Sequence, residues 1–258
     1  MIKFFRHIRQ KLLSENKFSK YLLYALGEII LVVIGILIAL QINTWNEQQK
    51  TKEKELNYLS LIKQEMAGNL RSIQLEHGVL DDFLENLNKI QALYAHPDPT
   101  LTNKQLSQIL APILSRDMDF YFKDGTLKEI IATGNLKDIT NDSIRNILAS
   151  IGGNLERVRA QETTVNNYNL KANDFLEKKG SVKQIVLDIG ANEANSIPED
   201  TRENSNLFLL KSKEFENLMV FCSLTGVDLE KEYYSTFQEE LKTLIDLIDR
   251  ELENASMP

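Results

Sequence analysis

Residues 21–45, YLLYALGEIILVVIGILIALQINTW, carry one charge, Glu28, and this run sets the class of the chain. Ile29 to Leu40 is apolar throughout apart from Gly35. As a helix rising about 1.5 Å per residue, the run spans roughly 37 Å, enough to cross a bilayer core of about 30 Å with some tilt. A cleaved signal peptide has a shorter apolar core, of about 7–15 residues, and ends at small residues. Gln41-Ile42-Asn43-Thr44-Trp45 offers no such end, so an uncleaved transmembrane helix is expected.

Charge is uneven on either side of this run. Residues 1–20 sum to +5, through Lys3, Arg6, Arg9, Lys11, Lys17 and Lys20 against Glu15, whereas residues 46–258 carry −11. Lys50, Lys52 and Lys54 beyond the span sit among Glu47, Glu53 and Glu55, so the basic excess predicts a cytoplasmic amino terminus. Tyr21 and Tyr24 then fall near one interface and Trp45, the only Trp, near the other. Three segments result: a basic cytoplasmic amphipathic segment (1–20), a transmembrane helix (21–45) and a helical body (46–258). The head reads either as a helix on the anionic leaflet, with Phe5, Ile8 and Leu12 at helical spacing, or as a plain topology signal. An acidic body gives no electrostatic reason for nucleic-acid binding.

The body reads as all-α. Leu59, Met66, Ile73, Leu80, Leu87 and Tyr94 recur every seven residues, beside a second row of Leu56, Leu70 and Leu84 interrupted by Lys63, His77 and Gln91. This pattern predicts a long helix from Asn46 to Ala95, stopped by His96-Pro97-Asp98-Pro99. Capping boxes are expected at Thr102/Gln105 and Thr126/Glu129, with Gly134 closing the second helix in a left-handed conformation. Asp119-Phe120-Tyr121-Phe122 is either a cap over the core or an exposed docking patch. Ile144, Ile151, Val158, Val165 and Ala172 mark a second long helix ending at Gly180, with Leu148, Leu155 and Leu176 beside them. Val182–Ile189 fits strand or short helix equally. Gly190–Asn206 reads as a surface loop, and Phe215, Leu218 and Cys222 open a last helix continued by Tyr233, Phe237, Leu241, Leu244, Ile248 and Leu252. Together these elements predict an elongated, mostly antiparallel bundle following a single membrane helix.

The anchor Gly27-Glu28-Ile29, Leu31 to Asn43 and Trp45-Asn46-Glu47, with the Thr133-Gly134-Asn135-Leu136 turn, resembles a family of single-pass envelope proteins of Gram-negative bacteria defined by a domain of unknown function. The resemblance implies an inner-membrane protein with a periplasmic body. It brings no activity, cofactor or catalytic residue.

Chemistry read from the residues is sparse. His7, His77 and His96 lie in three different settings, and no H-E-x-x-H, Glu-x-x-His, phosphate loop or nucleophile elbow occurs. Asp117-Met118-Asp119 misses calcium-loop spacing, and Cys222, among Leu218, Met219 and Phe221, reads as a buried thiol. No catalytic centre, metal or cofactor is expected. Glu28 stands out because a carboxylate inside a membrane pairs, protonates or faces a cavity. At about 100° per residue, Glu28, Gly35 and Ala39 fall within about 40° of one another, with Asn43 near the edge of that face. Three readings stand: a tolerated carboxylate, self-association with a second copy, and pairing with a different membrane protein. Two function classes follow. One is a non-enzymatic protein presenting its body to envelope partners; the other is a ligand-sensing bundle signalling through a membrane partner. A receptor-like sensor needs a second span leading to an output domain, so the first is preferred.

Overall fold

The computed structural model describes residues 18–194, 196–198 and 204–256, in two compact units that divide after Asn57. Residues 1–17, which hold most of the basic head and His7, lie outside the described residues. The protein is all-α, with no strand among the described residues.

The first helix, α1, runs unbroken from Phe18 to Ala95, so the apolar run and the long heptad helix are one element. Among the described residues it is the one helix long and apolar enough to cross a membrane. Within the first unit, none of the side chains in its apolar window is buried. Ile29, Leu31, Leu37, Ile42 and Trp45 are all well exposed.

The second unit is a helical bundle. Its other helices are α2 (Asn103–Leu114), α3 (Gly125–Ala132), α4 (Asp142–Lys179), α5 (Val182–Asp188), α6 (Lys213–Asp228) and α7 (Ser235–Ser256). Short 3-10 turns at Asn135–Asp138 and Leu207–Lys211, and a π-helical turn at Leu229–Tyr234, join them. Val182–Asp188 is thus helix, with Ser181 as its N-cap. The Thr102/Gln105 capping box is present, and Gly134 has φ +70°, which a residue with a Cβ rarely adopts.

The long elements pack antiparallel. Along α4, Asn154 meets Glu240, Gln161 meets the Thr225 carbonyl, Tyr168 stacks on Phe221 and Phe175 packs on Phe215. Along α1, Lys63 pairs with Asp249, His77 meets Gln238 and Tyr94 donates to the Leu209 carbonyl. The α6 backbone comes close to α1 at Gly226, where a Cβ would lie 2.9 Å from Leu84 Cδ2 and 3.3 Å from Phe83 Cε1. Cys222 is fully buried, and burial pushes its thiol up to about 12.

Three sequence expectations are corrected. The Thr126/Glu129 box does not form: α3 begins at Gly125, and Glu65 of α1 accepts from the Thr126 and Leu127 N–H groups at 2.8 and 3.2 Å. A carboxylate at a helix amino terminus meets the orphan donors and the positive end of the dipole together, and Glu129 instead accepts from Tyr58. The second core row of α1 is Ile62, Asn69, Phe83 and Ile90, all buried; of the expected row Leu56, Leu70 and Leu84, Leu84 is buried and Leu56 and Leu70 are half-buried. In the last helix Tyr234, not Tyr233, is the buried residue. Phe215, Met219, Cys222, Gly226 and Leu229 keep a four-three spacing, and the next buried position comes five residues on, because the π-helical turn accommodates one extra residue.

Candidate functional site

Between α2 and α3 the chain crosses the bundle as an extended segment, Ser115–Asp124, with no strand among the described residues to pair it. Its side chains alternate: Met118, Phe120 and Phe122 are buried, whereas Asp117, Asp119, Tyr121 and Lys123 are exposed. Phe120 and Phe122 meet each other and Phe237 edge to face, with centroids 5.8–6.0 Å apart. Of the two readings of the aromatic cluster, the core reading holds for the two phenylalanines, and Tyr121 is left 70% exposed.

An extended backbone inside a protein needs partners for every other N–H and C=O on each side. Two rows of polar side chains supply them. From α1, Asn69 accepts from Lys123 N and donates to Lys123 O (2.8 and 2.7 Å), Ser72 donates to Tyr121 O, and Glu76 accepts from Asp119 N. From α4, Asn166 holds Met118 N and O (2.8 and 2.9 Å), and Glu162 accepts from Phe120 N at 2.9 Å. Asn169 and Asn173 donate to Arg116 O and Leu114 O. Odd residues face α1 and even residues face α4, so the two amide rows act as the missing strands of a ladder.

The α4 row continues into a buried polar centre. Glu162, 4% exposed, also accepts from the Tyr234 hydroxyl at 2.5 Å. Burial raises its carboxyl to about 7, above an ordinary value of 4.5. The Tyr234 and Phe120 hydrogen bonds oppose that rise, and the charges of Asp119 and Glu76 add to it. Burial and the Glu162 charge hold the Tyr234 hydroxyl well above the usual range, so it stays a donor.

Tyr234 belongs to the π-helical turn, whose other residues face two further clusters. Toward α1, Glu230 converges with His77 and Asp81, and the His77 ring stands edge-on to Tyr234. Toward α4, Asn154, Arg157, Glu232, Tyr233, Thr236 and Glu240 line a surface hollow of about 340 Å³. There the Arg157 guanidinium lies over the Tyr233 ring, and Asn154 donates to both Glu240 oxygens.

The residues singled out in the apolar run belong to the first unit, on the first part of α1. Glu28 is half-buried, Ala39 is exposed, and a Cβ added at Gly35 would meet nothing within 4 Å. Asn43 donates to Glu47 at 3.2 Å, one turn along the same helix. The helix is continuous there, so Glu28, Gly35 and Ala39 share a side.

Sequence reasoning missed Asn69, Glu162 and Tyr234, although the signal was present. Glu162 and Asn169 occupy the heptad row of Leu148, Leu155 and Leu176, and Asn69 and Glu76 occupy that of Ile62, Phe83 and Ile90. Polar residues at core positions in two helices, with an alternating apolar segment between them in sequence, mark a gripped strand.

Such an arrangement, one long apolar helix leading into an all-α bundle, defines a class by architecture alone. The profile of a family of unknown function, DUF6090, matches residues 28–171, just over half the chain, and the chain belongs to that family. The match takes in the apolar run from Glu28 on, the gripped segment and its polar partners except Asn173, and it stops before the π-helical turn. No curated protein and no solved structure matches the chain.

Proposed function

We propose that this chain is a non-enzymatic single-pass protein of the bacterial inner membrane that presents its helical body in the periplasm to protein partners of the envelope. The observation that carries the reading is the start of α1, where a long apolar stretch has no buried side chain. Large apolar surface left uncovered is costly in water and favourable in lipid. The basic excess before the stretch supports a cytoplasmic amino terminus. A reporter active only outside the cytoplasm, fused after Pro258, is expected to give full signal. A cytoplasm-only reporter at the same point is expected to give none, and the reverse pattern overturns the orientation.

The anchor helix itself is proposed to take a helical partner, a second copy or another membrane protein, on the Glu28, Gly35, Ala39 side, with Asn43 at its edge. Open space over Gly35 lets a second backbone approach, and a carboxylate facing that partner escapes lipid. Gly35→Leu is expected to abolish association in a membrane two-hybrid assay, Glu28→Gln to weaken it, and Ile30→Leu to leave it intact. Equal signal from all three variants and the parent leaves α1 a simple tether.

A further inference from the structure

We propose that His77, Asp81 and Glu230 bind one divalent transition-metal ion, zinc by their donor chemistry, joining α1 to the π-helical turn. One ligand atom from each residue lies within 4.8 Å of the other two. His77 and Asp81 are four residues apart, so they leave the same face of α1. Glu230 comes from more than a hundred residues later in the chain, and its backbone is held at the turn: its carbonyl accepts from both the N–H and the hydroxyl of Ser235.

Three features make this more than neighbouring surface charge. First, the three groups converge without satisfying one another. His77 Nε2 lies 3.8 Å from Asp81 Oδ1, beyond hydrogen-bond reach. Among the described residues no Lys or Arg pairs with Asp81, and the Glu230 carboxylate makes no hydrogen bond or ion pair. Among the described residues, then, two carboxylates face one imidazole with no Lys or Arg paired to either of them. Second, the spacing suits an ion: two ligands on a tetrahedral zinc, at about 2.0–2.1 Å each, lie about 3.3 Å apart. Small side-chain rotations close the rest. Third, the imidazole already has an outer partner. The Gln238 amide, nearly buried on α7, has its nitrogen Nε2 2.7 Å from His77 Nδ1, and a flip of the amide exchanges that nitrogen for its oxygen. With its oxygen turned to accept Nδ1–H, the Nε2 lone pair points to the ion, the usual arrangement of a metal-bound histidine. One nitrogen and two carboxylate donors suit zinc better than calcium or magnesium, which take all-oxygen sets. Three protein ligands leave a fourth position for water, on the side where Asp81 is exposed.

The test uses the full chain in detergent, stripped with a chelator and titrated with zinc chloride against a chromogenic chelator. The parent is expected to bind one zinc per chain and to gain thermal stability as it does so. Asp81→Asn and Glu230→Gln are expected to lose both effects. Gln238→Ala, which removes the outer partner, is expected to bind about tenfold more weakly or worse. Glu232→Gln, on the same turn but outside the cluster, is expected to match the parent. His77→Ala removes the nitrogen ligand and is expected to bind nothing. If it fails to fold, the Asp81→Asn result decides, because that side chain is exposed and carries no packing. No saturable binding in the parent, or a parent-like affinity in Asp81→Asn and Glu230→Gln, overturns the site.

Discussion

Glu162→Gln is expected to make the protein more stable at pH 8 and to leave its stability at pH 5 nearly unchanged. In the folded chain the Glu162 carboxyl sits near pH 7, whereas in the unfolded chain it titrates near 4.5. Between those values the folded state keeps a proton that the unfolded state has released, so stability falls as pH rises through the window and is flat above it. The expected loss is about 2–3 kcal/mol. Glutamine keeps the oxygen that serves Phe120 N and Tyr234, and it carries no charge against Glu76 and Asp119. It therefore mimics the protonated acid. For a chain of this size the gain at pH 8 corresponds to a Tm about 4–10 °C higher. Glu162→Ala removes the shared acceptor and leaves two buried donors unpaired, at a cost of about 2–5 kcal/mol at pH 5 that shrinks toward pH 8, where the parent itself has lost stability through the buried charge. Thermal unfolding of parent and variants from pH 5 to pH 8 reads all of this. Parallel curves for parent and Glu162→Gln remove the buried charge as the cause.

That a carboxylate occupies this place follows from what surrounds it. The extended segment must be paired on both sides, and a leucine at position 162 would leave Phe120 N and the Tyr234 hydroxyl without acceptors. The π-helical turn is coupled to the same point: it delivers Tyr234 to Glu162 and, on its outer surfaces, Glu230 to His77 and Arg157's partner Tyr233 to the α4 hollow. One inserted residue in the last helix thus positions side chains toward three neighbours.

The helices were largely legible in the sequence because burial of one face leaves a period that survives without tertiary information. The first seven-residue row of α1, both rows of α4 and the Thr102 box all appear where their residues put them. The Thr126 box was not legible, because the acceptor that wins, Glu65, lies about 60 residues earlier. The polar centre was hidden for a similar reason. Asn69, Glu162 and Asn169 read as interruptions of apolar rows, and only the passage of Ser115–Asp124 between the two helices turns them into hydrogen-bond partners. The register change at Leu229–Tyr234 was written in a single five-residue step, which a search for regular spacing smooths over.

The gripped segment yields the second large effect. Asn69→Leu is expected to cost about 2–4 kcal/mol, because Asn69 is 1% exposed and pairs both the N–H and the C=O of Lys123, and leucine leaves both unmet. Asn166→Leu removes the matching pair at Met118 and is expected to cost a similar amount. The informative variant carries both changes. Independent, distant substitutions add to within about 0.5 kcal/mol, and that outcome would show two unrelated hydrogen-bond pairs. A segment held as one unit behaves otherwise. Once its hold on α1 is released, the α4 amides grip a backbone that already moves, and the double variant costs less than the two singles together by about 1–2 kcal/mol. Amide exchange gives a second readout. In Asn69→Leu, exchange is expected to speed up at Phe120, whose own partner Glu162 is untouched, as well as at Lys123. Acceleration confined to Lys123 would mean that each residue of the segment is held by itself.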